Sequence, residues 1–122
     1  MSLSGAHDAG AWVVVVANGL AGAWALGAHA LPPLRVRALW WFTVAAELAL
    51  VVQVILGVLL VTAGEREAPE FHMFYGFAAL AAVGIIYSYR HQLAGRIYLL
   101  YGFGGLFLMG MALRAMFIGG VR

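Results

Sequence analysis

"ALWWFTVAAELALVVQVILGVLLVT", residues 38–62, carries one charged side chain, Glu47, in a run that is otherwise apolar or weakly polar. An α-helix rises about 1.5 Å per residue, so about 20 apolar residues cross the roughly 30 Å hydrocarbon core of a bilayer. This run is long enough and predicts a membrane-spanning helix. Working outward, three more segments meet the same test: about 10–31, about 71–89 and about 97–118. Composition agrees, with 65% hydrophobic and 10% charged residues in a chain of 122. A soluble domain carries about 25% charged residues. The solvent for this chain is therefore largely lipid.

The breaks between spans have local causes. Pro32-Pro33 stops the first helix, because proline lacks the N–H and excludes a helical predecessor. Residues 64–70 are polar and contain Pro69, and Arg90 to Arg96 is a short basic turn. Connections this short make neighbouring helices antiparallel. The expectation is an all-α, integral membrane, four-helix antiparallel bundle forming a single domain over residues 1–122. The absence of cysteine excludes disulfides, thiol catalysis, cysteine-ligated zinc and iron–sulfur clusters. All seven basic residues are arginine and the net charge is +2, a pattern of membrane topology and not of nucleic-acid binding. "AHA" at 28–30 has the form of a signal-peptidase site, but Asp8 and no Lys or Arg precede the apolar run, which argues against a cleaved leader.

Arginine counting sets an expected orientation. The loops around Pro32–Arg37 and Arg90–Arg96 hold Arg35, Arg37, Arg90 and Arg96 without acids. The other side holds Asp8, Glu65, Glu67 and Glu70 against Arg66 and Arg122. The positive-inside rule puts the arginine loops in the cytoplasm and both termini outside, in a plasma (inner) membrane. Trp40 and Trp41 then anchor the inner interface.

Polar groups inside a bilayer are costly and face the bundle interior. Asn18, Glu47, Gln53 and Arg114 need an account. Asn18 and Glu47 fall at similar mid-depth, so the expected structural role is a protonated Glu47 bonded to Asn18 or to a backbone carbonyl. A proton pathway through Glu47 is the alternative. On the first span His7, Ala11, Val14, Asn18, Ala21, Ala25 and His29 recur at three- and four-residue spacing, a small, polar stripe suited to a packed interface. His72, Gly76, Ala79 and Val83 form a similar stripe on the third span, and Gly102, Gly105 and Ala112 on the fourth.

One end of the bundle thereby collects ionisable and polar groups: His7 before the first span, His72 opening the third with Tyr75 one turn on, Gln53 near the end of the second, and Arg114 near the end of the fourth. Two histidines on different helices, with small residues beneath them, can supply the axial pair of a haem b. His7 and His72 are the candidate metal ligands, and Gly76 removes bulk where a flat macrocycle could lie. Arg114 or Arg66 could pair with propionates. The same geometry suits a quinone headgroup, with His72 donating and Tyr75 or Gln53 assisting. The competing reading makes these histidines interfacial, as is expected of His29 and His91 at the other end.

"QVILGVLLV", Gln53 to Val61, followed by a loop and by a histidine opening the next helix, resembles a motif of haem A synthases. Those proteins are built from four-helix halves, and each half pairs two histidines on a haem. The resemblance covers about half the chain and implies a haem held by His72 and His7 beside Gln53, Leu56 and Gly57. It does not extend to the synthase reaction, because the acidic, histidine-rich outer segment has no counterpart beyond "GAHDAG". No catalytic constellation is legible, so an enzyme is not expected. The functional expectations are a haem- or quinone-binding electron-transfer protein beside a respiratory complex, a cofactor-free accessory or assembly subunit, and a small transporter. Lipid is the expected surrounding, with a larger membrane complex or a second copy of the chain as partner.

Overall fold

A computed structural model describes residues 2–65, 67 and 69–119. It is all-helical among those residues, with four long helices: α1 Leu3–Ala30, α2 Arg37–Thr62, α3 Glu70–Ser88 and α4 Ile97–Gly119. All four are long and apolar enough to cross a membrane. The shortest, α3, has 19 residues and so measures about 29 Å, close to the bilayer's hydrocarbon thickness.

The helix ends follow the sequence chemistry, with one correction. α1 begins at Leu3 and not near Gly10, so His7 lies inside the helix instead of preceding it. The Ser2 hydroxyl accepts from the Gly5 N–H at 3.0 Å, satisfying one of the first-turn donors. At the other end of α1, Arg35 folds back across the prolines. Its Nε donates to the Ala28 carbonyl at 2.7 Å and its Nη2 to the His29 carbonyl at 2.9 Å. A cation on the last carbonyls also complements the helix dipole. α2 closes through Gly64, at φ +72°. The Gly64 N–H reaches Val61 O at 3.1 Å and the Glu65 N–H reaches Leu60 O at 3.1 Å, the paired bonds of a left-handed helix stop. Glu70 occupies the first turn of α3 after Pro69, where negative charge is favourable.

α1 is the hub. It packs extensively on α4 and α2, while α3 leans on α4. α2 and α3 touch only sparsely, and α1 and α3 scarcely at all. The start of α1 meets the end of α2, where Gln53 bonds the His7 carbonyl. The end of α1 meets the start of α2 and of α4, where Ala25, Ala28 and Leu39 are buried beside Trp40, Tyr98 and Tyr101. Neighbours therefore run in opposite directions.

The buried face of α1 is the expected stripe, His7, Ala11, Val14, Asn18, Ala21 and Ala25, with Ala28 taking the place of His29. Small residues let the backbones approach. A Cβ added at Gly105 would lie 2.7 Å from the Gly22 Cα and 2.9 Å from the Asn18 carbonyl oxygen. One added at Gly22 would lie 2.7 Å from the Gly102 carbonyl oxygen. Large residues point outward instead: Trp12, Trp41, Phe71, Phe103 and Phe117 are all exposed. That inversion suits lipid, which is as apolar as the side chains and offers no drive to bury them.

Gly105→Ala places its methyl against backbone that cannot yield. It is expected to cost about 1–3 kcal/mol by overpacking. Gly110→Ala meets nothing within 4 Å, so it is expected to be neutral or to stabilise by up to about 1 kcal/mol through helix propensity. Thermal unfolding of the two variants in detergent compares them directly.

Candidate functional site

At the end of the bundle that carries the 63–69 loop, all four helices contribute to one apolar pocket. Its cavity volume is about 110 Å³, and part of it opens to the outside. α1 supplies His7, Ala11 and Val14; α2 supplies Gln53 and Gly57; α3 supplies His72, Tyr75 and Gly76; α4 supplies Ala115, Met116 and Gly119. Because α2 and α3 barely touch, the pocket lies along the loose seam of the bundle.

The two histidines expected to work together do meet. Their ring centres are 6.2 Å apart and the ring planes stand at 77°. His7 is buried and His72 is half-buried. Each ring rests on a glycine. A Cβ on Gly57 would lie 3.1 Å from His7 Cε1, and one on Gly119 would collide with the His72 ring at Nδ1. His72 Nδ1 lies 2.7 Å from the Ala115 carbonyl oxygen. A carbonyl only accepts, so Nδ1 is the donor, and in the neutral imidazole Nε2 then keeps its lone pair. A ring nitrogen tied to a backbone carbonyl is how metal-ligating histidines are commonly oriented.

Gln53 ties the pocket to the start of α1. Its Nε2 donates to the His7 carbonyl at 2.6 Å. Its Oε1 is buried and has no donor among the described residues. That oxygen faces Gly10, where any side chain would collide with it. Tyr75 is half-buried on α3 with its ring against Phe74. A Cβ on Gly76 would meet nothing within 4 Å. The open space over Gly76 is therefore part of the pocket.

Other expected site residues lie elsewhere. Arg114 is exposed and does not line the pocket. Arg66, the other proposed propionate partner, lies outside the described residues, as does Arg122. The expected bond between Asn18 and Glu47 is not formed. Asn18 Nδ2 donates instead to the Val14 carbonyl at 2.9 Å and across to the Ala46 carbonyl of α2 at 3.2 Å. Ala46 faces α1 and is buried, while Glu47, one residue further round the helix, is only half-buried. His29 and His91 are exposed. Sequence reasoning missed Ala115 and Gly119. Ala115 acts through a backbone carbonyl, which every residue type has, and Gly119 is one glycine among 16.

The separation of the two ring centres is compatible with two imidazoles sharing one metal. Metal–imidazole bonds of about 2.0 Å, plus about 1.1 Å from nitrogen to ring centre, put opposed ring centres about 6 Å apart. The observed separation agrees. The described residues hold no group of three or more His, Cys, Asp or Glu that could enclose a bare cation. A haem bound here would be held by His7 and His72.

Asn18→Leu removes a bond that joins α1 to α2 and is expected to cost about 1 kcal/mol. Glu47→Gln is expected to leave stability unchanged, because among the described residues no cationic group acts on Glu47. Paired thermal melts in detergent check both.

No family model matches the chain, and neither does any curated protein or solved structure; the candidate site is defined by its own geometry.

Proposed function

We propose that this chain is a small multi-pass protein of the plasma membrane that binds haem b between His7 and His72 and serves electron transfer beside a larger respiratory complex. The observation that carries the reading is the 6.2 Å separation of two imidazoles from different helices that both line an apolar pocket. Haem bound there would supply a one-electron couple. The chain's own part is to hold and tune the site. Ala115 orients His72 through its carbonyl, Gly57 and Gly119 seat the two rings, and Gln53 fixes the start of α1. Arginine counting gives the orientation: the loops with Arg35, Arg90 and Arg96 face the cytoplasm, and both termini and the pocket face outward.

One observation favours a quinol in the same pocket. Gln53 Oε1 is a buried acceptor with no donor among the described residues, and a quinol hydroxyl is such a donor. Tyr75 and the remaining nitrogen of His72 then serve the rest of the headgroup. A cofactor-free accessory subunit is the reading left if neither ligand binds.

The purified protein from haem-replete cells is expected to show a low-spin Soret band. His7→Ala and His72→Ala are each expected to abolish or shift it, with haem occupancy falling at least about tenfold. Gly76→Leu fills the pocket and is expected to exclude haem while leaving the melting temperature unchanged. A colourless protein that binds a quinol analogue, tolerates His7→Ala and fails with His72→Ala selects the quinol reading. A colourless protein that binds neither removes both. For orientation, Arg122→Cys is expected to react with an impermeant thiol reagent in intact spheroplasts and Gln92→Cys to be protected. The reverse labelling contradicts the assigned sides.

A further inference from the structure

At the opposite end of the bundle a second, shallower groove runs along the outer face of α3 and α4. Its lining is apolar except for Arg96, which sits immediately before the first turn of α4. The exposed rings of Phe103 and Phe107 wall it. Gly104 allows the approach: a Cβ there would lie 2.7 Å from Ile86 Cδ1.

Two features say what covers this groove. The first is its length. From Arg96 to Phe107 the helix rises about 16 Å, and one leaflet contributes about 15 Å of the hydrocarbon core. The groove thus spans the acyl region of a single leaflet, with its one cation at the expected depth of a headgroup. The second is the state of that cation. At this end Arg35 is committed to the Ala28 and His29 carbonyls and to the Tyr98 ring. Arg90 is committed to the Tyr87 carbonyl and ring. Arg96 has no side-chain hydrogen bond, ion pair or ring partner among the described residues, and the connecting segment 89–96 contains no acid to compete for it.

We infer that the α3–α4 groove is a binding site for one anionic phospholipid, its phosphate on Arg96 and an acyl chain along Gly104 toward Phe107. A guanidinium fits phosphate geometry, and a net negative headgroup is favoured over a zwitterionic one beside a connecting segment whose only charged side chains are arginines. The site is independent of the histidine pocket and does not rest on the haem reading.

The test is native mass spectrometry of the full chain released from detergent containing phosphatidylglycerol and phosphatidylcholine of identical acyl chains. Phosphatidylglycerol is expected to be retained in preference, with one copy held most tightly. Arg96→Gln is expected to weaken that retention roughly fivefold, the scale of one arginine at a membrane surface. Arg37→Gln, an exposed arginine at the same end that does not line the groove, is expected to leave it unchanged. Equal retention of the two lipids overturns the proposal. So does an Arg96→Gln protein that binds like the wild type, or an equal loss with Arg37→Gln, which is diffuse attraction only. A comparison on the wild-type protein alone guards against a variant that does not fold. Glycerol 3-phosphate is expected not to displace the lipid, and displacement at matched concentration shows a phosphate site in which the groove has no part.

Discussion

The backbone-to-backbone contact of α1 with α4, made where Gly22 meets Gly102 and Gly105, is the constraint on which the other features rest. In lipid no hydrophobic drive gathers the helices, so close approach and interhelical hydrogen bonds must do so. The contact fixes α4 against α1, and α3 in turn leans on α4. α1 and α3 scarcely touch, yet His7 and His72 face one another. Their separation is set through α4, which offers the Ala115 carbonyl and the bare Gly119 backbone to the His72 ring. A change deep in the α1–α4 interface is therefore transmitted to the histidine pair without altering either histidine.

Polar side chains in the spans mostly spend their hydrogen bonds on backbone carbonyls. Thr43 bonds back to Leu39, Asn18 to Val14 and Ala46, Gln53 to His7, and His72 to Ala115. Carbonyls have a second lone pair, so a helix can accept such bonds without losing its own ladder. This leaves a clear division of the molecule. The arginine end is closed by Arg35, the prolines and the Trp40–Tyr98–Tyr101 cluster. The histidine end remains open along the α2–α3 seam, with a buried Gln53 oxygen that has no donor among the described residues. Packing of α1 with α2 and α4 is concentrated away from the histidine pocket.

Much of this was written in composition and local pattern. Four apolar runs of bilayer length dictate four helices, because no other open-ended element satisfies its backbone in lipid. Pro32-Pro33, Gly64 and Pro69 mark their ends, and the small-residue stripes of α1 and α4 mark the faces that pack. The start of α1 was misplaced because residues 3–9 are less apolar than a span, whereas a helix needs only its cap and its i→i−4 bonds to extend beyond one. That the two histidines belong to the same end also followed from counting residues along antiparallel spans.

Helix number, the extents of α2, α3 and α4, and the inward faces are properties of the chain taken one segment at a time, so sequence alone determined them. Which polar atoms bond was decided only by the rotation of each helix about its axis and by the gaps between helices. A rotation of one residue hands the Asn18 bond to the Ala46 carbonyl instead of the Glu47 carboxyl, and leaves Arg114 outside the pocket it was expected to serve. The looseness of the α2–α3 seam, and with it the pocket, arises because α1 and α4 hold the small residues that bring backbones together. The separation of His7 and His72 follows from that unequal packing, which no single segment contains.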